Sequence, residues 1–144
     1  MWVLFGFVFG IAPLANADME PSIHAGDVML YYRLEKTFHI GDAVMVKKDG
    51  SEYTARIVAQ GGDTVEITAQ SELKVNGSIV VENDIFYTTP KYETDITYPL
   101  TLDDNEYFLL CDYREGAKDS RYFGPVGRRE IKGKIITVLR RSGI

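Results

Sequence analysis

Few side chains in this 144-residue chain could do chemistry, and each of them needs a companion. Asp18 follows a run without a single charged residue, where desolvation would raise its pKa, but aspartic-protease chemistry takes two carboxylates sharing a water. Nothing in the sequence sets a second one beside it. Ser22 and Ser120 carry hydroxyls that attack a carbonyl only when a neighbouring base removes the proton. Cys111 is the single cysteine, which excludes an intramolecular disulfide, and its place after Tyr107-Phe108-Leu109-Leu110 reads as a buried, inert thiol. His24 and His39 stand fifteen residues apart without forming a metal-ligand cluster, so the sequence implies neither a zinc site nor any other cofactor.

The chain that must position these groups is 45% hydrophobic, 12% aromatic and 26% charged, which predicts one folded domain with room for a small subdomain. Sixteen Lys and Arg against 21 Asp and Glu leave a net charge of −5, which removes the general attraction to phosphate backbones and excludes nucleic acid as a partner. Basic residues collect near the C-terminus: Arg128, Arg129, Lys132, Lys134, Arg140 and Arg141 face Glu130 alone. Such a cluster suits an anionic lipid surface, and equally a strand edge protected by charge.

Residues 1–17, MWVLFGFVFGIAPLANA, contain no charge and form an apolar N-terminal segment. The segment is shorter than the roughly 20 residues that span a bilayer as a helix, and Gly6, Gly10 and Pro13 interrupt it. Ala15-Asn16-Ala17 has the small-x-small form of a signal-peptide cleavage site, but no Lys or Arg precedes the apolar run. The tail of a membrane anchor running into a first strand fits better.

From Asp27 onward, short β-prone pieces alternate with turn residues: DVMLYYRL, DAVMVKK, EYTARIVAQ and DTVEIT. Period-2 alternation sets Tyr53, Ala55, Ile57 and Ala59 on one face of a strand, with Thr54, Arg56, Val58 and Gln60 on the other. Asn76-Gly77 inside LKVNGSIVV predicts a hairpin over residues 73–81. Residues 84–105, with Pro90 and Pro99, read as irregular, and EYFLLCDY and IKGKIITVLRR as closing strands. No long amphipathic helix is predicted, so the expected architecture is mostly β.

Four groups of residues then occur in order: Met19-Glu20-Pro21-Ser22-Ile23 with Gly26-Asp27; Gly41-Asp42; Tyr53-Thr54-Ala55-Arg56 with Gly62-Asp63; and Asp112 and Arg114 followed by Asp119-Ser120-Arg121-Tyr122-Phe123-Gly124. This ordered set resembles the type I signal peptidases over about residues 5–140. The resemblance implies a coiled antiparallel β-sheet fold of the signal-peptidase type, with residues 18–144 as the β domain and 73–105 as a small inserted hairpin and loop subdomain. It also implies a location at the cell membrane, the domain facing the extracytoplasmic side and receiving an extended peptide in a cleft. In that family a serine attacks the scissile carbonyl, and a lysine, neutral because it is buried among apolar neighbours, is the base.

At the position that resembles the nucleophile stands Asp18, and at the position that resembles the base stands Ala55. Ala117 takes the place of a serine that in the family orients the lysine, and Cys111 that of a glycine. Neither Ser22 nor Ser120 has a lysine or histidine at the family's spacing, so both are expected to be structural hydroxyls. Asp18 is expected to cap a turn or pair with an arginine. Around this degenerate dyad the resemblance sets Asn16, Met19, Pro21 and Arg56 as cleft or supporting positions, together with Ala117 and Ser120. Asp119 and Arg121 are expected to form a structural salt bridge. The sequence therefore resembles the signal-peptidase-like accessory proteins of Gram-positive pilus loci. Its expected role is to hold an extended peptide, secreted preprotein or pilin beside the sortase machinery without cutting it. The alternative is a serine-type signal peptidase with a non-standard dyad.

Overall fold

The computed structural model describes residues 8–13, 19, 23, 26–34, 37–80, 88–94, 96–114 and 117–139. Eleven strands form two antiparallel sheets among them. β1 (Phe9–Pro13), β2 (Val28–Tyr32), β3 (Ala43–Lys48), β4 (Ser51–Gln60), β9 (Glu106–Leu110), β10 (Val126–Gly127) and β11 (Ile131–Leu139) make a seven-stranded sheet in the order β1-β2-β11-β3-β4-β9-β10. β5 (Thr64–Ile67), β6 (Leu73–Val75), β7 (Ser78–Ile79) and β8 (Leu100–Thr101) make a second sheet in the order β7-β6-β5-β8. The mostly β, antiparallel expectation holds. A one-turn helix, Ser120–Phe123, is the longest α-helical element among the described residues.

Apolar alternation decides which face each strand buries. In β2, Met29 and Tyr31 go inward, while Val28, Leu30 and Tyr32 stay half-exposed. Tyr31 also explains two glycines on its neighbouring strands: a Cβ on Gly10 of β1 would collide with the Tyr31 ring, and one on Gly133 of β11 would lie 2.6 Å from Tyr31 Cδ2. The ring thus lies over both neighbours where they have no side chain. The hairpin forms where Asn76-Gly77 predicted it, with φ of 53° and 83° at the two turn residues. Asn76 adds a brace, its Oδ1 accepting from Thr64 N and its Nδ2 donating to Asp63 Oδ1.

Two of the Gly-Asp pairs, Gly41-Asp42 and Gly62-Asp63, turn out to be corners. In His39–Asp42 and again in Gln60–Asp63, the fourth residue's amide donates to the first residue's carbonyl, and its carboxylate accepts from the first residue's amide at 2.8 and 3.0 Å. Gly41 and Gly62 sit third in these turns with φ of +98° and +89°, a conformation that a Cβ makes costly. Each pair therefore combines one residue for the bend and one for the capping carboxylate. The two corners stand at the start of β3 and the end of β4.

One sequence expectation fails inside β4. Its register against β9 shifts between Ile57 and Ala59, so Ala59 does not share a face with Tyr53, Ala55 and Ile57. A bulge adds one residue to one strand and reverses the alternation beyond it. Ile57 packs with Ala55, Leu109 and Cys111 in the main cluster, whereas Val58 and Ala59 join Val65, Ile67, Leu73, Leu102, Phe108 and Leu110 in a second one.

Candidate functional site

Strand pairing brings the chemistry-bearing positions together. β3 and β4 pair with Val44 opposite Ala55 and Ala43 opposite Arg56. On the other edge of β4, Arg56 faces Leu110 and Ile57 faces Leu109, and just beyond the end of β9 Cys111 comes up against the Thr54–Ala55 stretch of β4. Ala55 and Met19 are 0% exposed, Cys111 and Ala117 are 1% exposed, and all four belong to the main cluster. Cys111 Sγ lies 3.3 Å from the carbonyl oxygen of Thr54 and 3.4 Å from that of Lys118, so its one S–H is shared between them, and Met19 Sδ lies 3.4 Å from the amide of Asp112. The expectation of a buried Cys111 is met.

Among the described residues, the ladder between β4 and β9 begins at Arg56, so residues 51–55 of β4 pair with β3 alone. This half-edge ends on Ala55, and Tyr53 packs there on Phe123 with ring centroids 4.9 Å apart. Neither of two surface hollows, one between the turns Asp103–Glu106 and Gly127–Glu130 and one within residues 91–98, includes Ala55, Cys111 or Ala117.

Charged residues frame this apolar centre without entering it. Arg56 grips Asp112 through two hydrogen bonds of 2.9 and 2.8 Å and donates a third to Gly41 O, which ties β4 to the first Gly-Asp corner. Asp119 and Arg121, both fully buried, form a second two-pronged pair, and Asp119 also accepts from the amides of Arg121 and Cys111. Burial by itself lowers the pKa of Arg121; the hydrogen bond and charge of Asp119, with smaller contributions from Tyr92 and Cys111, outweigh it and hold the guanidinium above its ordinary value. Ser120 Oγ, also buried, accepts from the amide of Leu109 at 2.9 Å.

The sequence reading missed what holds this segment from above. Residues 88–94 and 96–98 run across it. Thr89 Oγ1 accepts from Arg114, Pro90 O accepts from Arg121, Tyr92 donates from its hydroxyl to Ala117 O, and Thr94 Oγ1 donates to Arg121 O. Tyr98 packs edge-on against Phe108, and its hydroxyl is buried with no hydrogen-bond partner among the described residues. Desolvation, reinforced by the charge of Asp119 and opposed by Arg121, pushes the Tyr98 pKa up to about 12. These partners come from a stretch with neither strand nor helix period, and the aromatic residues in it were the only sequence signal. Asn16, Asp18, Pro21, Ser22 and His24 lie outside the described residues.

The sequence profile of the signal peptidases, peptidase S26, matches residues 1–139. The chain belongs to this family. A probable signal peptidase I-2 of Synechocystis is 30% identical over 139 residues, which cover 89% of this chain and 62% of that protein, so the chain spans somewhat under two thirds of that relative. Signal peptidase I S of Bacillus subtilis is 28% identical, covering 88% of this chain and 74% of that protein. An inactive signal peptidase IA of Staphylococcus aureus MRSA252 is 26% identical, covering 85% and 74%. Among solved structures, the crystal structure of a signal peptidase I from Enterococcus faecalis V583 superposes with a TM-score of 0.57 at 25% identity, covering 71% of this chain and 98% of that one. The signal peptidase fold is thus shared.

Proposed function

We propose that this signal peptidase relative lacks the Ser/Lys dyad and holds an extended peptide at the membrane without cleaving it. One observation carries the reading: Ala55, at the position that resembles the family's base, is a fully buried methyl group among Met19, Cys111 and Ala117, and supplies nothing that could accept a proton. Signal-peptide-bearing preproteins are the substrates the family suggests. The half-edge of β4 over residues 51–55 would take such a peptide as an added strand, through main-chain hydrogen bonds. Relatives named inactive signal peptidase IA are compatible with this reading. The likeness to pilus-locus accessory proteins extends it to a pilin held for assembly beside sortase.

The membrane part of the proposal is supported by the outer face of β1 and β2. Phe9 stacks on Tyr32 with centroids 5.6 Å apart, Ile11 lies opposite Leu30 and is 60% exposed, and Ile136 on the adjacent β11 is 48% exposed. This apolar face continues directly from an uncharged N-terminal sequence and would rest on the lipid surface, the domain facing the extracytoplasmic side. No helix among the described residues is long and apolar enough to cross a membrane.

Relatives named as signal peptidases without the word inactive, those of Synechocystis and Bacillus subtilis among them, favour a second reading, cleavage by a non-standard dyad. The test is mass spectrometry of a preprotein and a pilin precursor after long incubation with this protein in detergent, beside an active signal peptidase. Uncut precursor that co-purifies with the protein is the expected result. A product cut after a small-x-small site, and lost in Asp18→Ala, would establish the second reading instead.

A further inference from the structure

We propose that Cys111 occupies the space a basic side chain at residue 55 would need, so that two residues rather than one keep a base out of this site. The inference rests on the reading of the chain as a non-cutting relative and names the residue that fixes that state. Cys111 Sγ lies 3.3 Å from the carbonyl oxygen of Thr54, the residue bonded to Ala55, and Ala55 and Cys111 belong to one buried cluster. Both are closed off from solvent, as are Met19 and Ala117 beside them.

A lysine at residue 55 would add four methylenes and an ammonium to a filled cluster. The methylenes overpack it, and the ammonium needs acceptors that the cluster must supply. The carbonyls of Thr54 and Lys118 are within reach of this face, and the Cys111 thiol already lies against both, its one hydrogen shared between them. Nor can Cys111 withdraw cheaply, because its amide is held at 3.0 Å by the buried carboxylate of Asp119. Removing the Cys111 side chain would free volume and both acceptors together. Substitution at residue 55 alone frees neither.

The experiment is a thermal-unfolding cycle on the full chain with Ala55→Lys, Cys111→Gly and the double variant. The expected result is coupling: the double variant loses less than the sum of the single losses, by about 3 °C or more. Additive losses would overturn the proposal. Should Ala55→Lys fail to fold in both backgrounds, the uncharged pair Ala55→Met and Ala55→Met/Cys111→Gly reads the same space. Recovery by Cys111→Gly supports the proposal there, and additive loss overturns it. None of these readouts involves cleavage, so precursor cut by the unaltered protein would end the non-cutting reading alone. An additive cycle beside an inactive unaltered protein would end the space argument alone.

Discussion

The hydroxyl of Tyr92 donates to the carbonyl of Ala117 across 2.6 Å. The same ring lies 4.2 Å from the guanidinium carbon of Arg121, so one side chain fixes both the backbone beside Ala55 and the cation beneath it. Tyr92→Phe keeps the ring and removes the hydrogen bond. It is expected to cost about 1 kcal/mol in urea unfolding and to speed amide exchange at residues 117–119. Unchanged exchange there would show that the segment is held by Arg114 and Arg121 alone.

Asp119 and Arg121 are both removed from water, and each satisfies the other. Asp119→Asn leaves a buried guanidinium without its counter-charge and is expected to destabilise the fold by about 3–5 kcal/mol. The double change Asp119→Leu with Arg121→Met, which buries no unpaired charge, should cost less than Asp119→Asn alone. Chemical denaturation of the three proteins decides it.

Tyr98 predicts an alkaline effect. Its folded pKa stands at about 12 against an ordinary value of 10.0, so folding favours the neutral phenol. The unfolded chain releases this proton first as pH rises. Stability from Tyr98 is therefore fully present below pH 10 and is lost between pH 10 and about 12. Tyr98→Phe cannot ionise, and its melting temperature should fall less steeply than that of the unaltered protein over that window. At neutral pH it should be as stable or more so, because the hydroxyl it removes has no partner among the described residues.

Gly133→Ala places a methyl group 2.6 Å from Tyr31 Cδ2 and 2.8 Å from the carbonyl oxygen of Tyr32. A loss of about 2 kcal/mol or more is expected, since one of the two neighbours is backbone and cannot swing aside. Tyr31→Ala in the Gly133→Ala background should recover only the ring's part of that loss. Full recovery would mean that the Tyr32 carbonyl yields freely.

What was legible in the sequence followed from short-range rules. The β-prone runs VMLYY and AVMVKK, bounded by turn residues, formed strands, and Asn76-Gly77 formed its hairpin because both turn residues take positive φ. The Gly-Asp pairs were visible as spacing, but the construction of two of them, an amide-capping carboxylate after a bend, lies in backbone geometry that spacing does not encode. Alternation misplaced Ala59 because a one-residue bulge has no composition signal in TARIVAQ. At the candidate site, the grouping of Ala55, Ala117 and Met19 could be anticipated only through the family resemblance, since their contacts span β4, the segment after β9 and the chain near residue 19. Thr89, Tyr92 and Thr94 were illegible for the opposite reason: their bonds go from an aperiodic stretch to buried arginines, and sequence periodicity reports neither end.

The bulge in β4 has a mechanical result. Before it, the strand feeds Ala55 and Ile57 into one apolar cluster; after it, Val58 and Ala59 go into the other, and β9 divides Leu109 from Phe108 and Leu110 in the same way. Two strands are therefore a party wall between two rooms. Neither room can lose its packing while the wall stays straight, so the small sheet and the large one should melt as a single cooperative unit, and a peptide pressed against β4 would stiffen both.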